Sequence, residues 1–109
     1  MTEAEIQKQL FAIVRKRKFP SAMVWHPPND KRSRTKAGFL KGIQDVHCLH
    51  KGKFYAIELK KPKGKPPTED QMQFVSDVNA AGGYAFIAHG LDEALKGLEL
   101  WNIIRPEAA

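Results

Sequence analysis

Apolar positions recur along the chain with two different periods, and the switches between them outline the elements. Ile6, Leu10, Ile13 and Val14 fall on one helical stripe. Thr2-Glu3-Ala4-Glu5 matches a capping box ahead of it, with Thr2 as N-cap and Glu5 reaching back to its backbone N–H. Arg15-Lys16-Arg17-Lys18 suit the negative end of the helix dipole, and Phe19-Pro20 ends the helix. Ser21 to Trp25 predicts a short strand, stopped by Pro27-Pro28, with Trp25 read as core rather than as a base-stacking platform. Two short apolar runs, Val46-His47-Cys48-Leu49 and Phe54-Tyr55-Ala56-Ile57, flank Lys51-Gly52 and predict a β-hairpin. Thr68-Glu69-Asp70-Gln71 is a second capping box. It opens a helix whose stripe is Met72, Val75, Val78 and Asn79, with Phe74 adjoining, and which Gly82-Gly83 terminates. The nearly continuous apolar run Tyr84 to Ala88 predicts an inner strand. Leu91 to Leu100 reads as a last amphipathic helix with Asp92 and Glu93 in its first turn, after which Trp101, Ile103 and Ile104 fold back as cover. The order α-β-β-β-α-β-α predicts one α/β domain with a mixed central sheet flanked by helices. It spans residues 1–105, with 106–109 a frayed tail.

The hairpin concentrates the chemistry. If its turn holds two residues, counting outward pairs His50 with Lys53, Cys48 with Tyr55 and Asp45 with Glu58. Opposed residues share a sheet face with Cβ atoms about 4.5–5.5 Å apart. Lys60, two residues beyond Glu58, points the same way. Two opposed carboxylates repel, so stability alone does not favour them, whereas a divalent cation between them reverses the sign. A bulge at the turn would slip the register by one and send Asp45 to the other face. The alternative reading is a surface hairpin with solvated charges.

Charge sharpens this picture more than bulk composition does. The 109 residues are 42% hydrophobic and 28% charged, an ordinary balance for one domain with one core. No apolar run approaches the roughly 20 residues of a membrane span, and the acidic start lacks the layout of a signal peptide. The single cysteine, Cys48, allows neither an internal disulfide nor a cysteine zinc cluster and is expected to pack as a small hydrophobe. The expected compartment is the reducing cytoplasm. Of 18 Lys and Arg residues, 16 lie in positions 1–65, beside only five acids, whereas positions 66–109 hold two bases and seven acids. The basic part predicts a polyanion-binding surface, most simply nucleic acid. Lys31, Arg32, Arg34 and Lys36 sit in a polar loop leading to Lys41, and Lys61, Lys63 and Lys65 in a second, proline-stiffened loop directly after Lys60. These eight are the candidate nucleic-acid contacts, with DNA as partner.

Phosphodiester hydrolysis needs an activated water, neutralised phosphoryl charge and a stabilised leaving oxygen. Mg²⁺ held by one or two carboxylates supplies the first two. Asp45 and Glu58 fit as ligands, and the backbone carbonyl of Leu59 can complete the shell. Lys60 would orient the water or stabilise the phosphoryl oxygens. Glu3, on the inward stripe of the first helix, either points at these carboxylates or serves the helix N-terminus. Gly42 permits close approach by backbone or substrate. His26, His47, His50 and His89 lack zinc-ligand spacing, and neither a phosphate-binding Walker loop nor a nucleophile elbow is present.

Asp45 followed, after twelve intervening residues, by Glu58-Leu59-Lys60 resembles the PD-(D/E)xK nuclease motif. Gly42-Ile43-Gln44-Asp45, Ile57-Glu58-Leu59-Lys60 and Thr68-Glu69-Asp70-Gln71 together resemble a VRR-NUC domain, of the short stand-alone, virus-type kind. The resemblance covers Glu3 to Trp101. It implies a restriction-endonuclease-like fold and a metal-dependent endonuclease using Mg²⁺ or Mn²⁺, with no organic cofactor. By position, Asp45 and Glu58 would be metal ligands, Lys60 the catalytic lysine, Gln71 the active-site glutamine and Glu3 the acidic residue of the first helix. It also implies a homodimer acting on branched or junction DNA. Gln44 departs from the family's G-I-P-D, where a proline stands. Two rivals remain: a non-catalytic nucleic-acid-binding module, and a protein-interaction domain whose basic face binds an acidic protein.

Overall fold

The computed structural model describes residues 1–28 and 41–107. Helix α1 (Glu3–Arg17) is followed by strands β1 (Ala22–Trp25), β2 (Val46–His50) and β3 (Lys53–Lys60). Helix α2 (Glu69–Ala80), strand β4 (Tyr84–His89) and helix α3 (Leu91–Leu100) complete the chain in the expected element order. The four strands form one sheet in the order β1-β2-β3-β4. β1, β2 and β3 run antiparallel, and β4 joins β3 in parallel after the α2 crossover.

The β2–β3 turn takes two residues. Lys51 and Gly52 both have positive φ, +51° and +79°, the pairing of a type I′ turn whose twist matches the flanking strands. The register therefore runs without a bulge: His50 opposes Lys53, Cys48 opposes Tyr55 and Val46 opposes Ile57. One step further the same count brings Asp45 opposite Glu58.

Alternation sorts the sheet into two faces. Val46, Cys48, Tyr55, Ile57, Leu59 and Ala88 join Ile6, Leu10 and Val14 of α1 and Leu98 of α3 in the core. The opposite parity, His47, Phe54, Ala56, Glu58 and Lys60, faces α2, where Phe74 stacks on His47. Ile103 and Ile104 fold back as expected: both are buried, and Ile104 bridges Lys18 at the end of α1. Arg17 donates to Glu99 of α3 and to the carbonyl of Arg105. One of the basic residues closing α1 thus has a structural task.

Three expectations are corrected. The Tyr84–Ala88 strand, read as inner, is an edge strand. Its apolar run reflects cover on both faces, by α2 and α3, which hydrophobicity alone does not distinguish from lateral burial. Met72, read as part of the α2 stripe, is 57% exposed, whereas Phe74 is buried. The inward face of α2 runs through Gln71, Phe74, Val75 and Val78, because the N-cap and the Gln71 contact described below fix the rotation of the helix. Trp25, read as core, is half-buried on the edge strand β1.

Candidate active site

The C-terminal end of β3 carries two charged residues that the fold buries. Glu58 is 3% exposed and Lys60 7%. Their charged ends lie 3.8 Å apart. A buried ion pair is a poor source of stability because desolvation offsets its attraction. Its position facing α2 is therefore better read as chemistry than as glue.

Asp45 arrives just before β2, on the same side. Its Oδ2 accepts from the Leu59 backbone N–H at 2.8 Å, and its backbone carbonyl meets His26 Nδ1 at 2.6 Å. The strand that holds Glu58 thereby also holds the Asp45 side chain. The two carboxyl groups come within hydrogen-bonding reach. Burial pushes the Glu58 carboxyl up to about 8, and the Asp45 charge and hydrogen bond push the same way. Lys60 opposes them, and Glu3 adds the smallest upward push. Glu3 is half-buried at the start of α1, close enough for its charge to reach Glu58. Among the described residues no three His, Cys, Asp or Glu side chains form a metal-ligand group.

Gln71 serves two partners. Its Oε1 accepts from the Thr68 backbone N–H at 2.9 Å, completing the capping box. Its Nε2 donates to Glu58 Oε2, also at 2.9 Å. The cap that starts α2 thus aims the carboxamide at the buried carboxylate.

The Gly42–Asp45 segment packs against that same first turn. Gly42 has φ +73°, and a Cβ there would lie 2.1 Å from the Asp70 carbonyl oxygen. The close approach allowed for at Gly42 is made by backbone. Gln44 is 1% exposed, and its Nε2 lies 3.4 Å from the carbonyls of Gly42 and Gln71. Where the resembled motif has a rigid proline, this chain places a buried side chain between the Asp45 approach and α2.

Asp45, Glu58, Lys60 and Gln71 are thus brought together from the approach to β2, from β3 and from α2, with Glu3 at the margin. Lys61, Lys63 and Lys65 are exposed along the segment between β3 and α2, and Lys41 is exposed beside Gly42. Lys31, Arg32, Arg34 and Lys36 lie outside the described residues. The contacts of His26 and Gln44 had no signal in the spacing of the chain; only the buried amide and the fold reveal them. Cys48 is fully buried and its thiol is pushed up to about 12 by burial, which leaves it an inert packing group.

Comparison with solved structures bears on the fold that carries these residues. A VRR_NUC domain protein superposes with a TM-score of 0.77 over 93% of this chain and 88% of its own, at 20% sequence identity. The chain therefore has a VRR-NUC fold, a restriction-endonuclease-like α/β domain. No family model and no curated protein matches the sequence. Among the described residues no helix is long and apolar enough to cross a membrane.

Proposed function

We propose that this protein is a metal-dependent endonuclease hydrolysing DNA phosphodiester bonds. The observation that carries the reading is the Asp45–Glu58 pair, two carboxyl groups held together beside a buried lysine. Without a cation the arrangement costs free energy, because one carboxylate must keep a proton in the other's field. The donor set tests well for a hard cation. It offers carboxylate oxygens with no thiol or imidazole among them, which favours Mg²⁺ or Mn²⁺ over zinc. Asp45 and Glu58 would hold the ion, with the Leu59 carbonyl as a further oxygen donor. When bound, the ion would lower the pKa of a water and neutralise phosphoryl charge.

The chain's own residues do the rest. Lys60 places an ammonium beside Glu58 in a water-poor site, where it would orient the attacking water and offset charge developing on the phosphoryl oxygens. Gln71 fixes Glu58 by hydrogen bond and so orients a ligand, as outer partners of metal sites do. Glu3 adds negative potential at the margin. Lys41, Lys61, Lys63 and Lys65, with Lys31, Arg32, Arg34 and Lys36, are assigned to the phosphate backbone, which positions DNA without reading its sequence. One such domain offers little surface to grip a duplex, so a symmetric homodimer acting on branched or junction DNA is the favoured assembly. Light scattering on the free protein and on a junction complex measures it.

Labelled duplex, single-strand, flap and four-way-junction DNAs are incubated with the protein and Mg²⁺, Mn²⁺ or EDTA. Cleavage is expected with either metal, strongest on a branched substrate, and absent in EDTA. Glu58→Ala is expected to abolish cleavage and keep binding. A protein that binds every DNA and cuts none with either metal is the non-catalytic module instead.

A further inference from the structure

Beside the candidate active site, between β2, β3 and α2, lies a cavity of about 620 Å³, within the usual range for small-ligand pockets. His47, Phe54 and Phe74 form its aromatic wall, and Lys41, Asp70 and Asp77 are its charged groups. We propose that this cavity binds an unstacked nucleobase of the DNA, a reading that rests on the nuclease assignment and names its substrate class as DNA with a locally unpaired base.

Two observations carry it. The wall is aromatic: Phe54, His47 and Phe74 line it, with Phe54 edge-on to His47 at 5.0 Å between ring centroids and His47 stacked on Phe74, parallel within 8°. Stacking on such rings is the sequence-tolerant way proteins hold single-stranded bases. The charged groups discriminate between the parts of a nucleotide. Asp70 and Asp77 would repel a phosphate in the cavity, yet carboxylates accept from the exocyclic amines of adenine, cytosine and guanine. Lys41 supplies the cation for the phosphate attached to the bound base. Asp70 directly precedes Gln71, the residue bonded to Glu58. A base seated here therefore sets which phosphodiester lies near the carboxylates. A paired base is held in the stack and must be extruded, at an unpairing cost that a flap or junction nucleotide avoids. Selection for branched DNA follows.

The test is fluorescence of DNAs carrying 2-aminopurine at one position at a time around a flap junction, with Ca²⁺ present in place of Mg²⁺. Wild-type protein is expected to change the emission strongly at one junction-proximal position and little elsewhere. Phe54→Leu keeps apolar volume and removes the ring; it is expected to erase that change and weaken flap binding roughly tenfold. Phe54→Trp is expected to retain both. Emission that is unchanged at every position, or a change that Phe54→Leu leaves intact, overturns the proposal. The wild-type measurement decides even where a variant fails to fold. A position-specific signal from a protein that never cuts DNA with Mg²⁺ would keep the base pocket and remove the nuclease reading. Cleavage without any such signal would do the reverse.

Discussion

Glu58 is held as a poor acid at a position where a charged carboxylate has little water. Its carboxyl is raised from an ordinary value near 4.5 to about 8, by burial first and by Asp45 second. In the metal-free protein a proton on Glu58 is therefore favoured by folding. That contribution is fully present below about pH 4.5 and is lost as pH rises through about 8. Thermal denaturation in EDTA is expected to show a falling midpoint between pH 5 and 9, and Glu58→Gln is expected to flatten the fall. A divalent cation bound as proposed would compete with the same proton, so its affinity should increase with pH over this window and its binding should release a proton, measurable by calorimetry in two buffers. Lys60 acts at the same scale. Lys60→Ala is expected to lower the cleavage rate by roughly 10²–10³-fold with DNA affinity little changed, the pattern of a group that acts on the transition state. A Lys60→Ala enzyme that cuts at the wild-type rate would remove the ammonium from the mechanism.

Two elements must meet for the site to exist, and the contact is narrow. α2 presents Gln71 only because Thr68 starts the helix where it does. The Gly42 backbone lies against the first turn so closely that no side chain fits. Thr68→Ala is expected to cost about 1 kcal/mol of stability through the lost cap. Gln71→Ala removes the donor to Glu58 and is expected to weaken metal affinity or activity by about 10–100-fold. Gly42→Ala is the harsher change. Its Cβ would overlap the Asp70 carbonyl, and the positive φ is unfavourable as well. The first turn of α2 must then move, carrying Gln71 away from Glu58, and both the melting temperature and the cleavage rate are expected to drop. Full activity in a well-folded Gly42→Ala variant would show that the Gln71 contact is dispensable.

For the whole molecule, charge is arranged asymmetrically. The net charge is +6, but the cations gather before residue 66 and the acids after it. Lys63 and Lys65 are exposed just beyond the buried Glu58–Lys60 pair. Lys63→Ala with Lys65→Ala is expected to weaken binding to all DNAs about equally. The slope of log affinity against log salt should fall by about one per lost contact. An unchanged slope would place the DNA elsewhere on the surface.

Local chemistry in the chain settled a good deal of this. The capping boxes at Thr2 and Thr68 fixed where two helices begin, because their bonds span only three residues. The two-residue turn at Lys51-Gly52 fixed the hairpin register, and the register put Asp45, Glu58 and Lys60 on one face. Each of these rests on neighbours in sequence or on direct strand pairing. The tertiary structure alone decided the rest. It placed Tyr84–His89 at the sheet edge, since an apolar run reports burial but not which surface covers it. It turned Phe74 inward and Met72 outward, since α2 carries too few apolar residues for its stripe to fix its rotation. And it chose the partners of Gly42 and Gln44 in the first turn of α2 and brought His26 to Asp45, through contacts that join residues far apart in the chain and leave no periodic trace in it.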